Sequence, residues 1–196
     1  GEKNISFAVQ TATIVFMDIV SFTPWCGSLP ADKVMSTLNL LFKKFDSNCN
    51  NYSTMTKIKC IGDCYMASGG VFSEVNQPAE HARQAITFGL EAIKCVERVN
   101  VELHETLRIR VGCNAGGPIV AGVLGIEKPT FDILGPDINL GAMMEHHGVP
   151  MNVHIPQHVY DLGVYNYFVT KERGDVDVKG KMYHTYIVTG YANSNN

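Results

Sequence analysis

No apolar run in the 196-residue chain approaches the roughly 18 residues of a membrane-crossing helix. No basic-then-apolar leader opens it. The six cysteines include no Cys-x-x-Cys pair, and Cys60 and Cys64 have no downstream Cys/His pair, so the pattern argues against a zinc site. They read as reduced, half-buried thiols in a reducing cytosolic setting. A surplus of positive charge is also missing: the net charge is −3, which argues against nucleic acid or acidic lipid as a partner. There is no Gly-Lys-Ser/Thr, hence no Walker A loop. Repeats and low-complexity segments are absent. With 45% hydrophobic and 18% charged residues the chain is neither disordered nor a coiled coil. It reads as one soluble domain that buries about 70% of its unfolded surface without staples.

What is present is a regular alternation of elements. Thr11 to Ile19 is β-branched and almost continuously apolar, a strand buried on both faces. A turn-rich stretch, Ser21 to Pro30, precedes a helix marked by Val34, Leu38, Leu41 and Phe45. Lys57–Ile61 and Tyr65–Ser68 flank Gly62-Asp63 and read as a hairpin with an acid at its tip. Pro78 opens a long helix, and Leu107 to Cys113 alternate as a half-buried strand. Another strand, Ile119 to Leu124, follows Gly116-Gly117-Pro118. The order β-α-β-β-α-β is the ferredoxin-like split βαβ plan, an α+β class. Further pieces follow: a strand near Phe131, helices at 138–146 and 157–162, and strands at 153–155, 167–170 and 183–188. The expected organisation is an extension over 1–10, one domain over 11–190 and a polar tail over 191–196.

Two acids stand out. Asp18 ends the first strand and Asp63 sits at the hairpin tip. In the split plan the first strand is expected beside the strand that opens the hairpin, which would let the two acids meet. Paired carboxylates repel unless a cation separates them. Mg²⁺ suits such a pair, because water and phosphate complete its shell. An acid at a turn also serves as a plain cap, and the residues alone leave both readings open. Lys57 and Lys59 are two apart and are expected to share a strand face. Lys179-Gly-Lys181 has the look of a flexible phosphate loop.

Together, five stretches resemble the class III nucleotide cyclase catalytic domain, in family order: Phe16-Met-Asp-Ile-Val-Ser-Phe-Thr23, Lys57-Ile-Lys-Cys-Ile-Gly-Asp-Cys-Tyr-Met66, Gly117 to Gly125, Lys128 to Gly135, and Val178-Lys-Gly-Lys181. The resemblance implies a head-to-tail dimer, homodimeric or heterodimeric, with sites at the interface and two Mg²⁺ or Mn²⁺ ions in each. Asp18 and Asp63 match the metal aspartates, with Ile19 lending a carbonyl, and Phe22 and Thr23 fall in the phosphate loop. Lys59 and Asp132 match the pair that selects adenine, which argues for ATP over GTP. Asn139 matches the ribose asparagine and Lys179 the lysine on the terminal phosphates. The implied activity is an adenylyl cyclase acting at the cytoplasmic face, in a soluble or membrane-anchored parent, with no nucleic acid and no membrane insertion by this segment.

One departure is clear. The family's transition-state arginine follows the ribose asparagine by one turn, and here that residue is Met143. A thioether cannot donate to a phosphoryl oxygen. Asn152 also stands where some members carry a second phosphate arginine. Three expectations follow: a working cyclase in which Lys179, the metals or His146 and His147 replace the arginine; one half of a heterodimer; or a nucleotide-binding regulatory module.

Overall fold

The computed structural model describes residues 5–193. Residues 1–4 of the expected extension and 194–196 of the expected tail lie outside that range. The chain opens with β1 (Ser6–Val9), within the stretch read as an extension, and continues with β2 (Ala12–Ile19). A short α1 (Phe22–Gly27) then leads to α2 (Ala31–Cys49). The hairpin is β3 (Met55–Ile61) and β4 (Cys64–Gly69), followed by α3 (Pro78–Leu103) and β5 (Ile109–Gly116). After these come β6 (Ile119–Leu124), β7 (Thr130–Leu134), α4 (Pro136–His146), β8 (Val153–Pro156), α5 (Gln157–Tyr160), a 3₁₀ turn at Val164–Asn166, β9 (Phe168–Val178) and β10 (Lys181–Tyr191).

The larger sheet has seven strands in the order β3-β4-β2-β5-β8-β10-β9. Its first four are the ferredoxin-like core. The expected neighbour of the first strand is corrected: β2 pairs with β4, which closes the hairpin, and with β5, while β3 lies at the edge. A hairpin that returns antiparallel places its second strand inward, and Asp63, at the turn, still arrives beside the end of β2. A second sheet, β1-β6-β7, absorbs the N-terminal strand.

β2 explains why both sheet faces are covered. Its side chains alternate: Ala12, Ile14 and Phe16 pack in a cluster with Ile119, Ala121 and Ile133 of the smaller sheet. Val15, Met17 and Ile19 pack in the main core with α2 and α3. The main core includes Leu41, Tyr65, Ile86 and Phe88, all fully buried. Each such side chain contributes roughly 1.5–3 kcal/mol by leaving water. α4 lies directly on β5, and Gly112 permits it: a Cβ there would sit 2.0 Å from the Glu145 amide nitrogen. The turn-rich stretch after β2 contains the short helix α1 that its Gly, Ser and Pro content obscured.

Candidate active site

Asp18 is the penultimate residue of β2, directly opposite Arg110 of β5 in the ladder. Asp63 reaches back from the β3–β4 turn, and its Oδ2 accepts the Ile19 amide at 3.1 Å. Residues 44 apart in sequence thus share one sheet end. Gly62 makes the turn possible at φ 57°.

Two residues that the sequence reading passed over complete this cluster. Arg110 Nη2 lies 3.6 Å from Asp18 Oδ1, and its Nε lies 3.5 Å from Glu145 Oε2. Arg110 Nη1 also donates to the His146 carbonyl at 3.3 Å. Glu145 is buried on α4, so burial first, then the neighbouring Asp18, pushes its pKa up to about 8 against the pull of Arg110. Burial also raises Asp63, opposed by the Ile19 amide. Two carboxylates, Asp18 and Glu145, therefore face a single guanidinium, and Asp63 binds the neighbouring Ile19 amide. The signal in sequence was slight: Arg110 alternates with apolar residues like any solvated strand residue, and only strand adjacency sets it against Asp18.

The donor set suits a hard divalent cation. It consists of oxygens, and Asp18 Oδ1 is buried with no hydrogen-bond donor. Among the described residues no group of three or more His, Cys, Asp or Glu is arranged to hold a metal ion. Mg²⁺ is the ion that a pair of carboxylates could hold, because water and phosphate complete its shell. Cys64 beside this cluster has its pKa pushed up to about 12, chiefly by burial, and stays an inert thiol.

A second constellation joins β3 to β7. Lys59 Nζ and Asp132 Oδ2 are 2.6 Å apart, although 73 residues separate them in sequence. The other carboxylate oxygen, Oδ1, accepts the Ile133 amide at 2.8 Å. The expectation that Lys57 and Lys59 share a face is corrected. The β3–β4 register shifts between them, so Lys57 sits opposite Ala67 of the main core and Lys59 opposite Met66 of the other cluster. Lys57 accordingly pairs with Asp46 of α2 at 3.0 Å. A β-bulge inserts one residue and breaks the two-residue alternation.

The remaining residues stand apart from these two groups. Phe22 opens α1 half-buried and packs tilted on Trp25, with Thr23 exposed beside it. Asn139 is exposed on α4, and Met143, one turn later, is half-buried. Lys179 is exposed in the β9–β10 turn, where it and Gly180 both have positive φ, 52° and 85°. The segment read as a flexible loop is therefore a tight two-residue turn between long strands.

Comparison with known proteins follows the same outline. Residues 6–190 match the family model described as adenylate and guanylate cyclase catalytic domain. The chain is 34% identical over 182 residues to rat guanylate cyclase soluble subunit beta-2, covering 92% of this chain and 26% of that protein. It is 29% identical to the germination-specific adenylate cyclase of Dictyostelium discoideum, covering 92% of this chain and 21% of that protein. The chain thus spans about a quarter of the length of these curated relatives. Among solved structures, the guanylate cyclase domain of RhGC from Catenaria anguillulae in complex with GTP has a TM-score of 0.86 at 30% identity, covering 95% of this chain and 100% of that one. The catalytic core of a rhodopsin-guanylyl cyclase with converted specificity, in complex with ATPαS, gives 0.85 at 32%, covering 94% and 98%.

Proposed function

Because the chain belongs to the adenylate and guanylate cyclase catalytic-domain family, we propose that it converts ATP to 3′,5′-cyclic AMP and pyrophosphate at a dimer interface. The observation that carries the choice of ATP is the Lys59–Asp132 pair. An ammonium donates to an adenine ring nitrogen, and a carboxylate accepts from the exocyclic amine. Guanine would set its carbonyl against Asp132 and leave a buried acceptor unpaired, a mismatch that polar sites reject strongly. Asp132 is held ready, with one oxygen fixed by the Ile133 amide and the other free to exchange Lys59 for the base.

In this reading Asn139 orients the ribose, Lys179 holds the terminal phosphates, and Phe22 and Thr23 border them. Asp18, Asp63 and the Ile19 carbonyl would hold Mg²⁺ or Mn²⁺, which supplies charge stabilisation at the phosphoryl oxygens when bound. The 3′-oxygen, its proton passing to solvent water, bonds to the α-phosphorus as the bond from that phosphorus to the pyrophosphate oxygen breaks. The side chains contribute position and charge rather than covalent chemistry. The domain would act at the cytoplasmic face, as part of a longer parent. No helix among the described residues is long and apolar enough to cross a membrane.

Met143 favours a second reading: this chain is one half of a heterodimer whose partner supplies the arginine. Loss of one donor aimed at the transition state costs about 10²–10³ in rate. The deciding experiment is product formation by the purified domain with Mn²⁺ and ATP or GTP, over a wide protein concentration range. Specific activity that rises with concentration and prefers ATP supports the homodimer. Preference for GTP overturns the base assignment. Activity gained only on adding a second cyclase domain favours the heterodimer.

A further inference from the structure

α2 and α3 cover the sheet face opposite the small sheet that carries Asp132. Along α2, Leu40, Lys43, Lys44 and Ser47 recur at i, i+3, i+4 and i+7, which is one stripe of a helix. Along α3, Thr87, Glu91, Cys95 and Arg98 form the facing stripe. The two stripes do not close on each other. They line a cavity of about 730 Å³, a volume within the range of small-molecule sites.

The floor of the cavity is fixed. Asn48 is buried, donates to the Phe88 carbonyl at 3.0 Å and accepts the Tyr52 hydroxyl at 3.1 Å. The Tyr52 ring stands edge-on to Phe88, so a planar surface is held at the cavity wall. The one carboxylate there, Glu91, is already engaged, accepting from Tyr191 at 2.6 Å and pairing with Lys94 at 3.2 Å.

The cations are in no direct ion pair, although Arg98 is near enough to Glu91 to help lower its pKa. Among the described residues Lys43, Lys44 and Arg98 make no ion pair. Arg98 reaches only the Cys95 sulfur, at 3.4 Å, a weak acceptor for a guanidinium. Three cations against one carboxylate leave a surplus of two positive charges in a chain whose net charge is −3. A multivalent anion seated between the stripes could accept from all three side chains. A phosphate dianion matches both the charge surplus and the number of donors better than a carboxylate does.

We propose that the α2–α3 cavity binds a small phosphate monoester bearing a planar ring, with the phosphate on Lys43, Lys44 and Arg98 and the ring against Tyr52. This site is separate from the Asp18–Asp63 and Lys59–Asp132 groups and does not depend on the cyclase reading.

The test is titration of the isotopically labelled domain with phenyl phosphate, benzoate and inorganic phosphate, followed by backbone amide shifts. Phenyl phosphate should saturate shifts at Ser47, Thr87 and Cys95, binding roughly tenfold more tightly than either other probe. The double variant Lys44→Gln, Arg98→Gln should weaken it by roughly tenfold while amides around Asp18 keep their positions. Four outcomes would overturn the proposal: no saturable shift at these amides, equal binding of benzoate, equal binding of inorganic phosphate, or binding unchanged in the double variant. Shifts produced only by an acidic peptide would also overturn it and make the cavity a protein-docking groove.

Discussion

Lys179 occupies a left-handed backbone conformation that costs a non-glycine residue about 1–2 kcal/mol, and asparagine tolerates it better. A residue kept there against its own preference is a candidate for function. Lys179→Asn is therefore expected to raise stability by about 1 kcal/mol, read by thermal unfolding, while lowering cyclase turnover. If turnover is unaffected, Lys179 has no role on the phosphates. Base selection is tested the same way: Lys59→Glu with Asp132→Cys should move the ATP/GTP preference toward GTP, and an unchanged ratio argues against the pair. Met143→Arg should raise turnover in a protein that still dimerises, by up to about 10²-fold. His154 is a residue-scale switch of another kind. It is fully buried, its Nδ1–H donates to the Met144 carbonyl at 2.7 Å, and burial lowers its pKa to about 4. The unfolded chain binds this proton below about pH 6.5 and the folded chain does not until about pH 4. The His154 contribution to stability is thus complete above pH 6.5 and falls as pH drops between those values, by roughly 3 kcal/mol at most. Denaturant unfolding from pH 7 to pH 4 should show this slope as the difference between the wild-type chain and His154→Gln, because Glu145, whose pKa is raised, contributes with the opposite sign in both.

At the level of elements, the contact between α4 and β5 rests on one missing side chain. Gly112→Ala would drive a Cβ into the Glu145 backbone, and the expected loss exceeds about 3 kcal/mol because backbone has no rotamer to escape into. Circular dichroism and thermal unfolding read the outcome. The same contact carries Glu145 to Arg110, so the variant should also disturb the Asp18 end of β2. The bulge in β3 is a second element-scale device. It sends Lys57 to Asp46 and Lys59 to Asp132, on opposite faces of one strand. An alternating sequence pattern contains no mark of it. The β9–β10 hairpin was legible only as two short apolar runs, because its outer halves are exposed and charged, with Lys171, Glu172, Arg173, Asp175 and Asp177 in β9. Backbone pairing with β10, rather than burial, holds those residues in a strand.

Across the whole molecule, the seven-stranded sheet separates three places of different chemistry. One is the carboxylate cluster at the ends of β2 and the β3–β4 turn. Another is the Lys59–Asp132 pair between β3 and the small sheet. The third is the cationic cavity between α2 and α3. In the proposed reading a complete cyclase site draws on two such domains, so specific activity should rise with protein concentration, as gel filtration and product assays in parallel would show. Exposed apolar residues on the small sheet, Val120, Leu124 and Leu134, line the face that also bears Asp132, which fits a surface that another domain covers.

The sequence by itself determined the order and type of most core elements, because β2, α2 and α3 carry unbroken apolar periodicities that the solvent enforces locally. It also determined the family, through short motifs whose residue types are visible without coordinates. Tertiary structure alone decided which strand flanks β2 and which faces Lys57 and Lys59 occupy. It alone brought Arg110 and Glu145 to Asp18, and set a stripe of α2 across a cavity from a stripe of α3. Each of these depends on pairing register and on packing between segments tens of residues apart, and neither quantity is written in local periodicity.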